Sequence, residues 1–147
     1  MGMIITFCGH SSFDNNENQY KLYDILCENI KDNPVDFYVG GYGSFDHYAL
    51  CSALEYKEKH NDTKIYFVTP YLDKRYSKLE YYKNVTDGII FPELENVPKK
   101  FAIIKRNEWM VKQADLVIAY VRHSWGGARR TFEFAKRLQK KIINLAD

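Results

Sequence analysis

Three short loops contain most of the residues that could bind an anion. Each loop follows an apolar segment and mixes glycine with hydroxyl, histidine or arginine side chains. Glycine lets the backbone approach a ligand closely, and the free N–H groups at a helix start attract negative charge. The predicted ligand- or phosphate-binding residues are Gly9, His10, Ser11, Gly40, Gly41, Gly43, Ser44, Asp46, Arg122, Gly126, Gly127, Arg129, Arg130 and Thr131.

The first two loops also have a purely structural explanation. The first could be a glycine-containing turn with a serine cap, and the second a turn in which Ser44 and Asp46 cap the next helix. Glu133 fits a ribose contact or general acid–base group as well as it fits a first-turn acid that complements the helix dipole. Arg106 could face either the sheet edge or solvent. The second loop favours a ligand contact, so we expect Gly43→Val to abolish binding and leave the fold largely intact.

Several kinds of site are excluded by spacing. The sequence contains no GxGxxG, GxxxxGK[ST] or GxSxG motif, which argues against a nicotinamide-cofactor fingerprint, a P-loop and a hydrolase elbow. The four histidines lack metal-ligand spacing, so we predict no metal and no cofactor. Three cysteines argue against a disulfide scaffold. Cys8 could be a nucleophile, but buried cysteines are more often inert.

The elements that position these loops alternate between strand and helix along the whole chain. Apolar runs predict strands over 4–8, 35–39, 64–69, 88–91, 116–121 and 141–145, and the remaining periodicity predicts helices over 20–31, 44–60, 99–113 and 127–139. This alternation indicates an α/β fold with a mainly parallel sheet. Right-handed crossovers place every strand-to-helix loop at the carboxyl edge, where ligands bind at the point of strand-order reversal.

Length and composition indicate one domain over residues 1–147. The chain has 147 residues, of which 46% are hydrophobic and 27% are charged, as in ordinary globular proteins. No apolar run could cross a membrane, and the N-terminal segment lacks the basic flank and cleavage site of a signal peptide. We therefore expect a cytoplasmic protein.

Positive charge is concentrated in the last third. The net charge is +2, yet residues 1–98 carry nine basic and fifteen acidic side chains, whereas residues 99–141 carry twelve basic and three acidic ones. Such a segment could attract a nucleotide phosphate or nucleic acid, although solvated lysines on helix faces would explain many of these charges.

Four segments of the sequence resemble the SLOG superfamily, which includes DprA/Smf DNA-processing proteins, lonely-guy phosphoribohydrolases and YpsA-like proteins. These segments are TFCGHSS, VGGYGSFDHYALCSAL, KRNEWMVKQADLVIAYV and GGARRTFEFAKR. The resemblance implies a Rossmann-like three-layer sandwich, with helices flanking a mainly parallel sheet. It also implies a homo-oligomer, because relatives often pair through helices.

The resemblance implies one of three alternative functions. The first is a binding or sensor domain for a nucleotide or an ADP-ribose-like ligand. The second is an N-glycosidase, phosphoribohydrolase or deoxyribosyltransferase acting on nucleoside monophosphates, in which Arg106 and Glu133 match the catalytic arginine and glutamate of lonely-guy enzymes. The third, by analogy with DprA, is single-stranded DNA binding.

Overall fold

A computed structural model describes residues 2–13, 21–73 and 75–146. Strands and helices alternate along these residues. The strands are β1 (Met3–Gly9), β2 (Val35–Val39), β3 (Thr63–Val68), β4 (Gly88–Ile90), β5 (Leu116–Tyr120) and β6 (Lys141–Asn144). The helices are α1 (Lys21–Ile30), α2 (Ser44–Lys59), α3 (Lys78–Val85), α4 (Lys99–Gln113) and α5 (Gly127–Arg137).

The six strands form one parallel sheet in the order β4-β3-β2-β1-β5-β6. From β1 the chain crosses to β2, β3 and β4 on one side, and it then crosses to β5 and β6 on the other. The loops that follow β1 and β5 therefore diverge toward opposite faces of the sheet. This divergence opens a crevice at the carboxyl edge between these two central strands.

Helices cover both faces of the sheet, as a parallel sheet requires. The side chains of α1, α2 and α3 pack on one face in a core that includes Leu26, Phe45 and Tyr82. The side chains of α4 and α5 pack on the other face around Val111 and Ala135. The prediction of a Rossmann-like sandwich is confirmed, and every strand pairing is parallel.

Two predictions from the sequence differ from the structure: helix α3 was not predicted, and the N-cap of α2 was assigned to the wrong residue. No helix was predicted at α3, where only Tyr82 is buried and the hydrophobic pattern is correspondingly weak. Ser44 was expected to cap α2, but Gly43 occupies the cap position. The Ser44 hydroxyl donates instead to the Ser11 carbonyl, at 2.7 Å, and so joins α2 to the loop after β1. Residue 20, at the start of the predicted first helix, lies outside the described residues.

Candidate functional site

A cleft of about 330 Å³ lies at the carboxyl edge of the sheet between β1 and β5. Its walls are the loop after β1, the loop after β5 with the start of α5, and one face of α4. Eight of the predicted site residues line it: Gly9, His10, Ser11, Asp46, Arg106, Gly126, Gly127 and Thr131. Eight others are absent from its lining: Gly40, Gly41, Gly43, Ser44, Arg122, Arg129, Arg130 and Glu133.

His10 joins the two loops that meet at the cleft. Its Nε2 accepts hydrogen bonds from the backbone N–H groups of Arg122, at 2.8 Å, and His123, at 3.2 Å. Because Nε2 accepts, the proton of the neutral ring lies on Nδ1. Burial lowers the pKa of His10, and His123 and Arg122 lower it further. His10 therefore fixes the two loops relative to each other, and its lowered pKa favours the neutral ring.

The glycines of the second loop pack against protein atoms. A Cβ on Gly41 would lie 2.7 Å from the Phe67 ring, and one on Gly43 would lie 2.5 Å from the Cα of Ser11. Gly43 also has a φ of 89°, which favours glycine. Of the predicted residues in this loop, only Asp46 lines the cleft, so the other four support the wall behind it.

Asp46 is the acidic side chain among the cleft-lining residues. Its Oδ2 accepts a 2.7 Å hydrogen bond from the backbone N–H of Tyr42. Burial raises the pKa of Asp46 to about 6, while the Tyr42 hydrogen bond and the charges of Arg106 and Lys78 act in the opposite direction. Asp46 is thus a partly desolvated carboxyl group facing a ligand-sized space.

The third loop presents the start of α5 to the cleft. Gly126 has a φ of 97°, and a Cβ added to either Gly126 or Gly127 would meet no protein atom within 4 Å. Thr131, one turn further on, donates its hydroxyl to the Gly127 carbonyl at 3.1 Å. The backbone N–H groups of the first turn therefore lie beside open space, where an anion would be stabilised.

The arginines around this loop have protein partners. Arg122 donates to the Tyr120 hydroxyl at 3.1 Å, and Arg129 pairs with Glu133 at 2.6 Å. Arg130 is exposed on α5. Glu133, being paired with Arg129 and absent from the lining, is not brought together with Arg106 at the cleft. The geometry therefore gives no support to the hydrolytic alternative, which stays a prediction.

Arg106 is buried at the cleft floor, with only 1% of its surface exposed. Its Nη1 donates to the carbonyls of Gly40 and Val68, each at 2.8 Å, and its Nε donates to the Asn107 side chain at 2.8 Å. Burial lowers the pKa of Arg106, although the charge of Asp46 raises it. Arg106 therefore joins α4 to the ends of β2 and β3 while forming part of the floor.

Sequence reasoning missed an aromatic stack at the cleft mouth. The His10 and His123 rings lie 4.4 Å apart, and the His123 and Trp125 rings lie 4.6 Å apart and almost parallel. Trp125 is 68% exposed, which is unusual for so large an apolar side chain. In the sequence, the feature that could have pointed to Trp125 is its position directly before Gly126 and Gly127. Other lining residues that were missed include Tyr42, Ile103, Ile104, Asn107 and Met110.

Burial makes Cys8 a poor nucleophile. Cys8 is 7% exposed, and burial raises the pKa of its thiol to about 12, so the reactive thiolate is suppressed. Among residues 2–13, 21–73 and 75–146, no group of three acidic, histidine or cysteine side chains could hold a metal ion. No helix within these ranges could span a membrane.

The fold and the cleft define a Rossmann-like α/β protein with an open site where the strand order reverses. The sequence matches no family model and no curated protein. Its structure is similar to DNA processing protein A (DprA) from Helicobacter pylori, whose single-stranded DNA binding mode has been described. That structure has a TM-score of 0.65 and 17% sequence identity. It is also similar to DprA from Streptococcus pneumoniae, with a TM-score of 0.65 and 16% identity.

A third similar structure is that of TM1055, with a TM-score of 0.58 and 14% identity. Each comparison covers 95% of this chain, but only 63%, 49% and 72% of the three other chains respectively. The chain thus spans about half to two thirds of the DprA chains. At these identities the comparisons establish a shared fold, and the two DprA proteins come from the group that the sequence motifs resemble.

Proposed function

We propose that the protein binds a nucleotide or a nucleotide-derived, ADP-ribose-like ligand in the cleft between β1 and β5. The main support is the open space beside Gly126 and Gly127, where an anion can approach the first turn of α5 without displacing any protein atom. The cleft volume of about 330 Å³ is within the range of small-molecule sites. In this proposal the protein is a binding or sensor domain.

The aromatic stack supports a ligand that carries a base. His123 and Trp125 present a flat, exposed ring surface next to the start of α5. Stacking of a base on such a ring contributes about 1–3 kcal/mol. A phosphate on the α5 amides and a base near Trp125 would use both features of this one loop.

Isothermal titration with AMP, ADP and ADP-ribose tests the proposal, using Gly127→Val as the decisive variant. We expect at least a tenfold loss of affinity, because the new side chain fills the space that the anion would occupy. Thermal unfolding should show little change, since the Cβ meets no protein atom. Ser124→Val is the control, because Ser124 is exposed in the same loop but absent from the cleft lining.

A failure of all three ligands to bind the wild-type protein at millimolar concentration would overturn the proposal. Equal affinities for wild type and Gly127→Val would place the anion elsewhere and would also contradict it.

A second candidate function is binding of single-stranded DNA. It is favoured by the exposed Trp125 ring, which could stack a base, and by the DNA-binding activity named for the similar H. pylori protein. Fluorescence anisotropy with an oligo-dT probe tests it: affinity should fall steeply with salt and should drop about tenfold or more in Trp125→Ala. Salt-independent binding, or equal binding by the variant, would contradict this candidate.

A further inference from the structure

The cleft floor contains an acceptor and a donor that the protein itself leaves available. Oδ2 of Asp46 is engaged by the Tyr42 amide, whereas Oδ1 has no hydrogen-bond partner among the described residues. Arg106 uses Nη1 and Nε on protein groups, and its Nη2 likewise has no partner within those ranges. Both side chains line the cleft, and each shifts the pKa of the other through its charge.

This pair differs chemically from the anion subsite at α5. An ionised carboxylate only accepts hydrogen bonds, and a guanidinium only donates them. A phosphate placed between them would gain from Arg106 but would be repelled by Asp46. A hydroxyl group matches both, because it donates one hydrogen bond and accepts others.

We propose that the Asp46–Arg106 floor recognises the ribose 2′-hydroxyl of the bound ligand, so that the protein selects ribonucleotides over 2′-deoxyribonucleotides. The hydroxyl would donate to Oδ1 of Asp46 and accept from Nη2 of Arg106. This inference rests on the proposed nucleotide-binding function. It also separates that function from DNA binding, because a DNA strand carries no 2′-hydroxyl.

The expected selectivity is large enough to measure. Loss of a hydrogen bond to a charged group in a partly desolvated site changes affinity by about ten- to a hundredfold. A 2′-deoxyribonucleotide would leave Oδ1 of Asp46 without its donor in a site from which water is partly removed. We therefore expect ribonucleotides to bind about ten- to a hundredfold more tightly.

The experiment compares AMP with 2′-deoxy-AMP, and ADP with 2′-deoxy-ADP, by isothermal titration. Wild type should prefer the ribose member of each pair. Asp46→Asn keeps an acceptor for the Tyr42 amide but removes the charge, so it should weaken AMP binding toward the level of 2′-deoxy-AMP. Its effect on the deoxy ligands should be small. Asp115→Asn, at a carboxylate outside the cleft lining, is the matched control.

The outcomes separate this inference from the proposed function. Equal binding of ribo and deoxy ligands by wild type would overturn the inference and leave nucleotide binding intact. An equal loss for both ligands in Asp46→Asn would also overturn it, because Asp46 would then act on the whole site. If none of the four ligands binds, both proposals fail. The wild-type comparison decides the matter even if the variant does not fold.

Discussion

His10 is the side chain on which the cleft geometry most directly depends. It accepts two backbone hydrogen bonds from the loop after β5, although it belongs to the loop after β1. We expect His10→Phe to keep an aromatic ring beside His123 but to leave both N–H groups without an acceptor. The free energy of unfolding should fall by about 1–3 kcal/mol. Urea unfolding measures this, with His47→Phe at an exposed histidine as the control.

The lowered pKa of His10 predicts part of the pH dependence of the protein's stability. The folded-state pKa of His10 lies below its ordinary value of 6.5, so the unfolded chain binds the proton more readily. Its stabilising contribution is complete above 6.5 and decreases as the pH falls from there toward the folded-state pKa. Asp46 has the opposite effect: because its pKa is raised to about 6, its contribution to the stability of the folded protein increases as the pH falls. The difference between wild type and His10→Phe should therefore shrink between pH 7.5 and pH 5, and a constant difference would contradict this account.

At the scale of elements, Arg106 connects three of them from a single position. Its guanidinium satisfies the carbonyls of Gly40 and Val68 at the ends of β2 and β3. We expect Arg106→Met to lower the free energy of unfolding by about 2–3 kcal/mol without any ligand, because both carbonyls lose their donor. Lys105→Met, at an exposed neighbour on α4, should change it by less than about 0.5 kcal/mol. Similar values for the two variants would show that Arg106 does not fix these strands.

We expect a glycine-to-alanine substitution to change stability differently in the loop after β2 and in the loop after β5. Gly43→Ala forces a left-handed backbone on alanine and places its Cβ 2.5 Å from Ser11, so we expect a loss of about 1–3 kcal/mol. Gly127→Ala meets no protein atom and has no positive φ, so stability should stay equal or rise slightly. Chemical denaturation of the two variants measures this contrast. A stable Gly43→Ala protein would show that the loop after β1 moves freely away from α2.

At the scale of the whole molecule, the topology predicts where a ligand changes protection from hydrogen exchange. The loops after β1 and β5 meet only because β1 and β5 are neighbours in the sheet. Bound AMP should therefore slow exchange over residues 9–13 and 122–128, which are distant in sequence. The loop over 31–34, at the amino edge, should be unaffected and is the internal control. Protection at that edge, or at one cleft loop alone, would contradict the site at the strand-order reversal.

The amino-acid sequence alone was enough to predict all six strands, every helix except α3, and the edge of the sheet at which the loops gather. Strands buried on both faces form nearly continuous apolar runs, as in β1 and β5, whereas burial along β2 alternates from residue to residue. Right-handed crossovers then fix the loops at one edge without further information. For this reason seven of the predicted residues from these loops reached the cleft lining, including Asp46 and Gly127.

Which residues of those loops face the cleft depends on contacts between segments that are distant in sequence. Gly43 packs against Ser11, and the Arg106 guanidinium donates hydrogen bonds to carbonyls at the ends of two strands. The partners of both residues therefore come from distant segments of the sequence. Trp125 became a candidate only when its ring was found stacked and exposed. Local patterns record hydrophobicity and turn preference, but a side chain's direction depends on which distant atoms fill the space around it. At this site those atoms were brought together by the pairing of β1 with β5 and by the packing of α4 across the strand ends.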